Sequence, residues 1–206
     1  MRSKAFAAIA LFLFLGLCSG LMTTALIHYD GVLVWTSAGV VFALGVGASL
    51  LIARMKGWIL IKPSAKQYSL FALITAISYP MSILVMAAVL NLYSTVYRVL
   101  LTESWHRRVN AGEGIAIGDE GIDVGMYCAG VAAAVLVSLA LRILTGGWDR
   151  TVSMLMITAG VATVFFFHHL PGETAHYIEN IFLLFIMGDA LFTALCGSWM
   201  VRAIRK

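Results

Sequence analysis

Residues 5–53 read AFAAIALFLFLGLCSGLMTTALIHYDGVLVWTSAGVVFALGVGASLLIA, and this stretch decides the fold class. It consists of two apolar runs, 5–27 and 32–53, which only four residues separate. Each run has the length of about 20 mostly apolar residues that a helix needs to cross a hydrocarbon core of about 30 Å. Because lipid offers the backbone no hydrogen-bond partners, such runs must be helical. The stretch therefore predicts two transmembrane helices in a tight antiparallel hairpin.

The rest of the chain repeats this pattern at 68–92, 124–144, 152–168 and 176–200. Hydrophobic residues make up 61% of the 206 residues and charged residues 12%, with a mean hydropathy of +0.94. A soluble domain is about half apolar and about a quarter charged. The basic start followed by an apolar run is also typical of a secretory signal, but we interpret it as a first span. We predict an all-α, polytopic integral membrane bundle of six transmembrane helices, with residues 1–206 as a single domain.

The basic residues predict the orientation of this bundle. Alternate assignment of the connections puts only Arg98, Arg107 and Arg108 on one side, and positive charge accumulates on the cytoplasmic side of membrane proteins. We expect a multi-pass protein of the cytoplasmic (inner) membrane with both termini in the cytoplasm. The other eleven basic residues then lie on the cytoplasmic side: Arg2, Lys4, Arg54, Lys56, Lys62, Lys66, Arg142, Arg150, Arg202, Arg205 and Lys206.

Composition and spacing also indicate the partners. A formal net charge of +4 favours anionic lipid of the bilayer at the cytoplasmic surface. Nucleic acid is excluded because no basic patch is interleaved with aromatic residues. Gly16 and Gly20 form a GxxxG motif, and small residues recur at Gly39, Ala43 and Gly47. Such positions let helices approach closely, either within one chain, which we favour, or against other membrane subunits or a second copy.

The connection 93–123 is much longer than the others, and long loops are often functional. Its first half predicts an amphipathic helix, which either extends span three or lies in the membrane interface. One stripe of that helix is apolar or aromatic, and Glu103 and Arg107 form a favourable i,i+4 pair on the opposite stripe. In the second half, alternating apolar residues flank the sequence Gly-Asp-Glu-Gly at 118–121, which is compatible with a short β-hairpin.

A histidine and carboxylate cluster is the first candidate site. On the predicted topology it lies on the extracytoplasmic side, where three helix ends come together. Imidazole and carboxylate ligands suit zinc, copper or non-haem iron, and a pair of histidines suits haem. The simpler interpretation is that these amphipathic side chains accumulate at an interface, and a third is a protonation switch near neutral pH. The candidate residues are His28, Asp30, His168, His169, Glu173, His176 and Glu179.

Asp189 is the second candidate site because it is the one charged residue deep within a predicted span. An unpaired carboxylate there costs at least ~2.5 kcal/mol on insertion scales, so it should face the bundle interior or a water-filled cavity, or be protonated. One interpretation is a functional group. The other is a structural lock in which Asp189 accepts hydrogen bonds from Thr23, Thr24 or a residue such as Ser198.

These observations leave three classes of function. We expect first a subunit or interaction protein of a larger membrane assembly, because ionic transport demands several polar residues along a path and the spans offer mainly neutral hydroxyls. The second class is a small channel or carrier for a neutral solute or protons that uses Asp189. The third is a membrane enzyme or redox protein with a transition metal or haem at the extracytoplasmic face, which we rank last.

Overall fold

The computed structural model describes residues 2–27, 32–100, 119–168 and 177–203, and it describes side chains within 3–26, 37–96, 124–163 and 186–203. The regular secondary structure of these residues is entirely α-helical, which confirms the all-α part of the predicted fold class. The helices are α1 (Arg2–Ile27), α2 (Val32–Met55), α3 (Ala65–Leu100), α4 (Asp119–Thr145), α5 (Arg150–His168) and α6 (Tyr177–Ala203).

Four of these helices are long and apolar enough to cross a membrane. The qualifying ranges are Ser3–Leu26, Ser37–Met55, Ala65–Val96 and Val124–Thr145. The side chains described in α5 and α6 cover only 150–163 and 186–203. The chain is therefore a helical membrane bundle with at least four helices of spanning length and composition.

The six helices form a closed ring in which each helix packs against its neighbours in the chain and α6 packs against α1. Neighbouring helices run antiparallel, as the registers of their contacts show. On α1 and α6, for example, Phe12 lies against Gly197 and Gly16 lies against Ala190. The start of α1, the end of α6 and the connections at 56–64 and 146–149 therefore lie at one end of the ring, which we call the basic end.

The basic end carries the described cationic side chains, all of which are exposed. Because these groups lie at helix ends rather than along the helix faces, they are placed to meet water or lipid headgroups. They are Lys4, Arg54, Lys56, Lys62, Lys66, Arg142, Arg150 and Arg202.

Local sequence signals set the helix boundaries at the basic end. Ser64 and Gln67 form a reciprocal capping box at the start of α3, with backbone-to-side-chain distances of 2.8 and 3.2 Å. Asp149 caps α5 by accepting a hydrogen bond from the backbone N–H of Val152 at 3.1 Å. Gly57 and Gly146 follow the ends of α2 and α4 with φ angles of 63° and 72°, the left-handed conformation that favours glycine after a helix.

Close helix contacts in the ring are made at glycines. An ideal Cβ atom on Gly39 would clash with the carbonyl oxygen of Thr75 on α3, and one on Gly130 would lie 2.8 Å from the carbonyl oxygen of Gly160 on α5. The hydroxyl end of the Tyr68 side chain on α3 fills the place that a Cβ atom on Gly47 would occupy. For Gly16, Gly39 and Gly47 the predicted packing within one chain is therefore confirmed.

The large buried apolar side chains form one cluster in the half of the ring that adjoins the basic end. Phe12, Phe71 and Trp199, from α1, α3 and α6, are at most 1% exposed and belong to this cluster. The indole N–H of Trp199 donates to the Thr145 hydroxyl at 3.1 Å. Large apolar side chains therefore fill much of this half of the interior.

The long connection differs in part from the prediction. Helix α3 extends to Leu100, so residues 93–100 continue the third span, one of the two predicted alternatives. The predicted β-hairpin is wrong over 119–124, because α4 already begins at Asp119. The helix therefore begins five residues before the apolar run that starts at Val124. The remaining residues, 101–118, lie outside the described parts of the chain.

Candidate functional site

Asp189 lies on α6 inside the ring and is 2% exposed. Its carboxylate accepts hydrogen bonds from side chains of two other helices, α1 and α3. We call Asp189, Ser19, Thr23 and Tyr79 the Asp189 cluster. Its members lie at one depth of the bundle although they are far apart in the sequence.

Tyr79 binds Asp189 across the interior of the ring. Its hydroxyl donates to Oδ1 of Asp189 at 2.5 Å, at the short end of the range for charge-assisted O–H···O⁻ hydrogen bonds. Among the described residues the backbones of α3 and α6 do not pack against each other. The hydrogen bond is therefore a side-chain bridge between opposite sides of the ring rather than part of a helix interface.

Helix α1 supplies the other two donors. The Ser19 hydroxyl donates to Oδ2 of Asp189 at 3.0 Å, and the Thr23 hydroxyl approaches the same oxygen at 3.5 Å. Serine and threonine four residues apart lie on one helix face. Gly16 brings this face close to α6, since an ideal Cβ on Gly16 would lie only 2.8 Å from the Asp189 carbonyl oxygen.

Three hydroxyl groups donate hydrogen bonds to the Asp189 carboxylate, but no described cationic side chain forms an ion pair with it. Every described lysine and arginine side chain is exposed. An ionised carboxylate offers only acceptors, and the three donors occupy both of its oxygens. They stabilise the charge through hydrogen bonds, but no described cationic side chain offsets it.

Thr193 adds an unusual polar atom next to the cluster. It lies one helical turn after Asp189 on the same face of α6, and its Cβ lies 2.7 Å from the ideal Cβ position of Gly16. The residue is fully buried, and its hydroxyl has no hydrogen-bond partner. A buried unsatisfied hydroxyl costs about 1–3 kcal/mol, and such groups in native proteins often mark a bound water or ion.

The predicted histidine and carboxylate cluster lies outside the described residues. His28, Asp30, His169, Glu173 and His176 are not described at all, while His168 and Glu179 lie in helices whose side chains are not described there. Within the described residues, no group of three His, Cys, Asp or Glu side chains is placed to hold a metal ion. The metal or haem site remains a prediction from the sequence.

The partners of Asp189 differ in part from those expected. Thr23 does bind it. Thr24 does not, because its hydroxyl donates to the carbonyl oxygen of Leu21 in its own helix at 2.8 Å. Ser198 is not one of the three described donors. Sequence reasoning missed Ser19 and Tyr79 as donors.

Distance along each helix from the basic end is a signal that would have found Tyr79. Tyr79 lies 14 residues after Ala65, where α3 begins. Asp189 lies the same number of residues, 14, before Ala203, where α6 ends. At 1.5 Å per residue both lie about 21 Å along their helices. Equal depth makes the hydrogen bond feasible, and the ring brings the two side chains together.

No protein-family model, curated protein or solved structure matches this chain.

Proposed function

We propose that the protein is a small proton carrier of the cytoplasmic membrane in which Asp189 takes up and releases the proton. The observation that carries this proposal is the Asp189 cluster. A carboxylate that is 2% exposed accepts hydrogen bonds from α1 and α3 and has no described cationic partner. Ionisable groups within membrane spans are rare and are associated with ion paths and proton relays.

The proposed topology has six spans with the basic end in the cytoplasm. Helix α5 has 19 residues and α6 has 27, which at 1.5 Å per residue gives about 28 Å and about 40 Å. Both lengths suit a hydrocarbon core of about 30 Å. The exposed cations at the basic end support this orientation through the positive-inside rule.

Hydroxyl groups are suited to hold Asp189 in both of its protonation states. A carboxylate needs donors, whereas a carboxylic acid carries one proton that needs an acceptor. The hydroxyls of Ser19, Thr23 and Tyr79 can each donate or accept, so the same three side chains serve both forms. Uptake of a proton from one side and its release to the other then requires only rotation of hydroxyl groups and a change of access.

The two other functions expected from the sequence remain predictions. The exposed apolar side chains of the helices suit lipid as well as a protein partner, so the subunit interpretation gains no specific support. A metal or haem enzyme would depend on residues such as His28 and His169, which lie outside the described parts of the chain. The proton carrier is the function that a described arrangement of side chains supports.

Proton flux into liposomes tests the proposal. Purified protein is reconstituted with a pH-sensitive dye inside the vesicles, and a potassium diffusion potential with valinomycin drives proton entry. We expect flux above that of protein-free liposomes and its loss in Asp189→Asn. The matched control is Asp149→Asn at the basic end, which keeps its capping role because asparagine and aspartate are equivalent helix caps.

Two outcomes would refute the carrier. One is wild-type flux no greater than that of empty liposomes. The other is undiminished flux in Asp189→Asn that is folded and correctly reconstituted. In the second case, a loss of stability without a loss of flux would identify Asp189 as a structural lock between helices.

A further inference from the structure

We propose that Lys66, Arg142 and Trp148 bind the phosphate headgroup of an anionic phospholipid at the basic end of the ring, where α3 begins and α4 ends. We call these three residues the headgroup site. The inference goes beyond the proton carrier and does not depend on it, because the headgroup site shares no residue with the Asp189 cluster.

The basic end carries positive charge that the described acidic groups do not balance. Eight described lysine and arginine side chains lie there, and all are exposed. Asp149 is the one described carboxylate at this end, and it accepts a hydrogen bond from the backbone N–H of Val152 at 3.1 Å. Within the described residues no lysine or arginine forms an ion pair. The neutralising anions therefore come from the surroundings, which at a membrane surface include lipid phosphates.

Trp148 holds Arg142 in position at this end. The guanidinium carbon of Arg142 lies 5.7 Å from the centroid of the Trp148 ring, within the range of a cation–π interaction. Trp148 packs edge-on against Trp199, with ring centroids 6.0 Å apart and an interplanar angle of 79°. Trp199 is 1% exposed, and its indole N–H donates to Thr145. Two aromatic rings therefore anchor the cation to the buried apolar cluster.

This contact leaves the N–H groups of Arg142 available for a phosphate. Among the described residues no acceptor takes a hydrogen bond from its guanidinium. A guanidinium presents five N–H donors in a planar fork that matches the oxygens of a phosphate group. A side chain that is already held on an aromatic ring loses less conformational freedom on binding than one that moves freely in water. Arg142 is therefore preorganised for a phosphate.

A hydrogen bond between α3 and α4 brings a second cation to the same junction. The side-chain amide of Gln67 donates from Nε2 to the carbonyl oxygen of Ile143 at 3.1 Å. Lys66 precedes Gln67 in the chain and Arg142 precedes Ile143, and both cationic side chains are exposed. The first turn of α3 and the last turn of α4 therefore present an ammonium and a guanidinium group where the two helices meet.

Exposed apolar side chains at the basic end favour a lipid over a soluble phosphate as the partner. Trp148 is 41% exposed, and Leu60 and Met55 are 70% and 79% exposed. Leu60 lies in the connection 56–64, which leads into α3. Tryptophan and basic residues are typical of the boundary between hydrocarbon and headgroups. A phospholipid offers phosphate to the cations and acyl chains to the apolar side chains, whereas a soluble phosphate offers only the first.

Native mass spectrometry of the full chain in mild detergent tests the inference. Phosphatidylglycerol or phosphatidylcholine with the same acyl chains is titrated, and the dissociation constant of the first bound lipid is measured. The site variant is Lys66→Gln with Arg142→Gln. The matched control is Lys4→Gln with Arg202→Gln, which removes the same charge at the same end from the junction of α1 and α6. All four side chains are exposed, so neither variant should disturb folding.

We expect wild type and the control to prefer phosphatidylglycerol to phosphatidylcholine, and the site variant to lose this preference. Each basic residue near an anionic surface contributes about 1 kcal/mol, which corresponds to about 5-fold in affinity. The site variant lacks two such residues and should therefore bind phosphatidylglycerol about 30-fold more weakly than wild type.

Three results would overturn the inference. The first is equal affinity of wild type for the two lipids. The second is an equal loss of affinity in the site variant and the control, which would indicate diffuse attraction to the whole basic end. The third is displacement of phosphatidylglycerol by an equal concentration of glycerol 3-phosphate, which would identify a soluble anion as the ligand. Lipid binding does not depend on proton flux, so this inference and the carrier can fail separately.

Discussion

Gly16 is the position where a single methyl group should act most strongly on the Asp189 cluster. In Gly16→Ala the new Cβ would lie 2.7 Å from the Thr193 Cβ and 2.8 Å from both the Ala190 Cα and the Asp189 carbonyl oxygen. Favourable carbon contacts begin at about 3.5 Å, so relief of the contact with the Thr193 Cβ would require α1 and α6 to separate by about 0.8 Å. The hydrogen bond from Ser19 to Asp189 would lengthen with them.

The change in the free energy of unfolding of Gly16→Ala follows from two opposing contributions, overpacking and helix propensity. Overpacking costs about 1–3 kcal/mol, and alanine in a helix gains about 1 kcal/mol over glycine. We expect Gly16→Ala to be destabilised by about 0–2 kcal/mol. Gly188→Ala is the matched control, because no atom lies within 4 Å of its ideal Cβ, and it should be stabilised by up to about 1 kcal/mol.

Reversible unfolding in mixed micelles, followed by circular dichroism as the fraction of sodium dodecyl sulfate increases, measures both variants. The difference between them isolates the packing term, because helix propensity is common to the two substitutions. Equal stability of Gly16→Ala and Gly188→Ala would refute the close approach of α1 and α6 at Gly16.

Two further pairs of variants test the hydrogen bonds by the same unfolding measurement. Tyr79→Phe removes the donor to Asp189 and should cost about 0.6–1.7 kcal/mol and reduce proton flux, whereas Tyr68→Phe, which loses a hydrogen bond to a neutral carbonyl, should leave flux unchanged. Equal flux in both would contradict a role for Tyr79. Thr193→Val removes an unpartnered buried hydroxyl and should leave stability equal or higher, whereas Thr23→Val should lower it. A clear loss of stability in Thr193→Val would show that this hydroxyl has a partner such as bound water.

The helices could be predicted well from the sequence because the signal is local. Apolar runs of spanning length predicted six helices, and all six are present, with ends that extend up to eight residues beyond the predicted runs. Two helices continue beyond their apolar runs: α3 extends to Leu100, and α4 begins at Asp119. Hydropathy does not predict helix in these polar extensions. The number of membrane spans stays a prediction.

The site was only partly predictable, because Asp189 has a local signal in the sequence and its hydrogen-bond donors do not. Asp189 stood out because a charged residue deep in an apolar run is costly wherever the helix lies. Its donors depend on which helices are neighbours and on their rotation. The contact of Tyr79 with Asp189 joins residues 110 positions apart, and nothing local in either helix specifies it. Distance from the basic end limits which residues could donate to Asp189, but the arrangement of the helices in the ring determines which one does.

Infrared difference spectroscopy of the reconstituted protein tests most directly whether Asp189 binds and releases a proton. The account predicts a carbonyl stretching band of a protonated carboxylic acid that grows as the pH is lowered and vanishes as it is raised. The band should be missing in Asp189→Asn and present in Asp149→Asn. A spectrum in which wild type and Asp189→Asn show the same carboxylic acid bands at every pH where both remain folded would contradict the central claim.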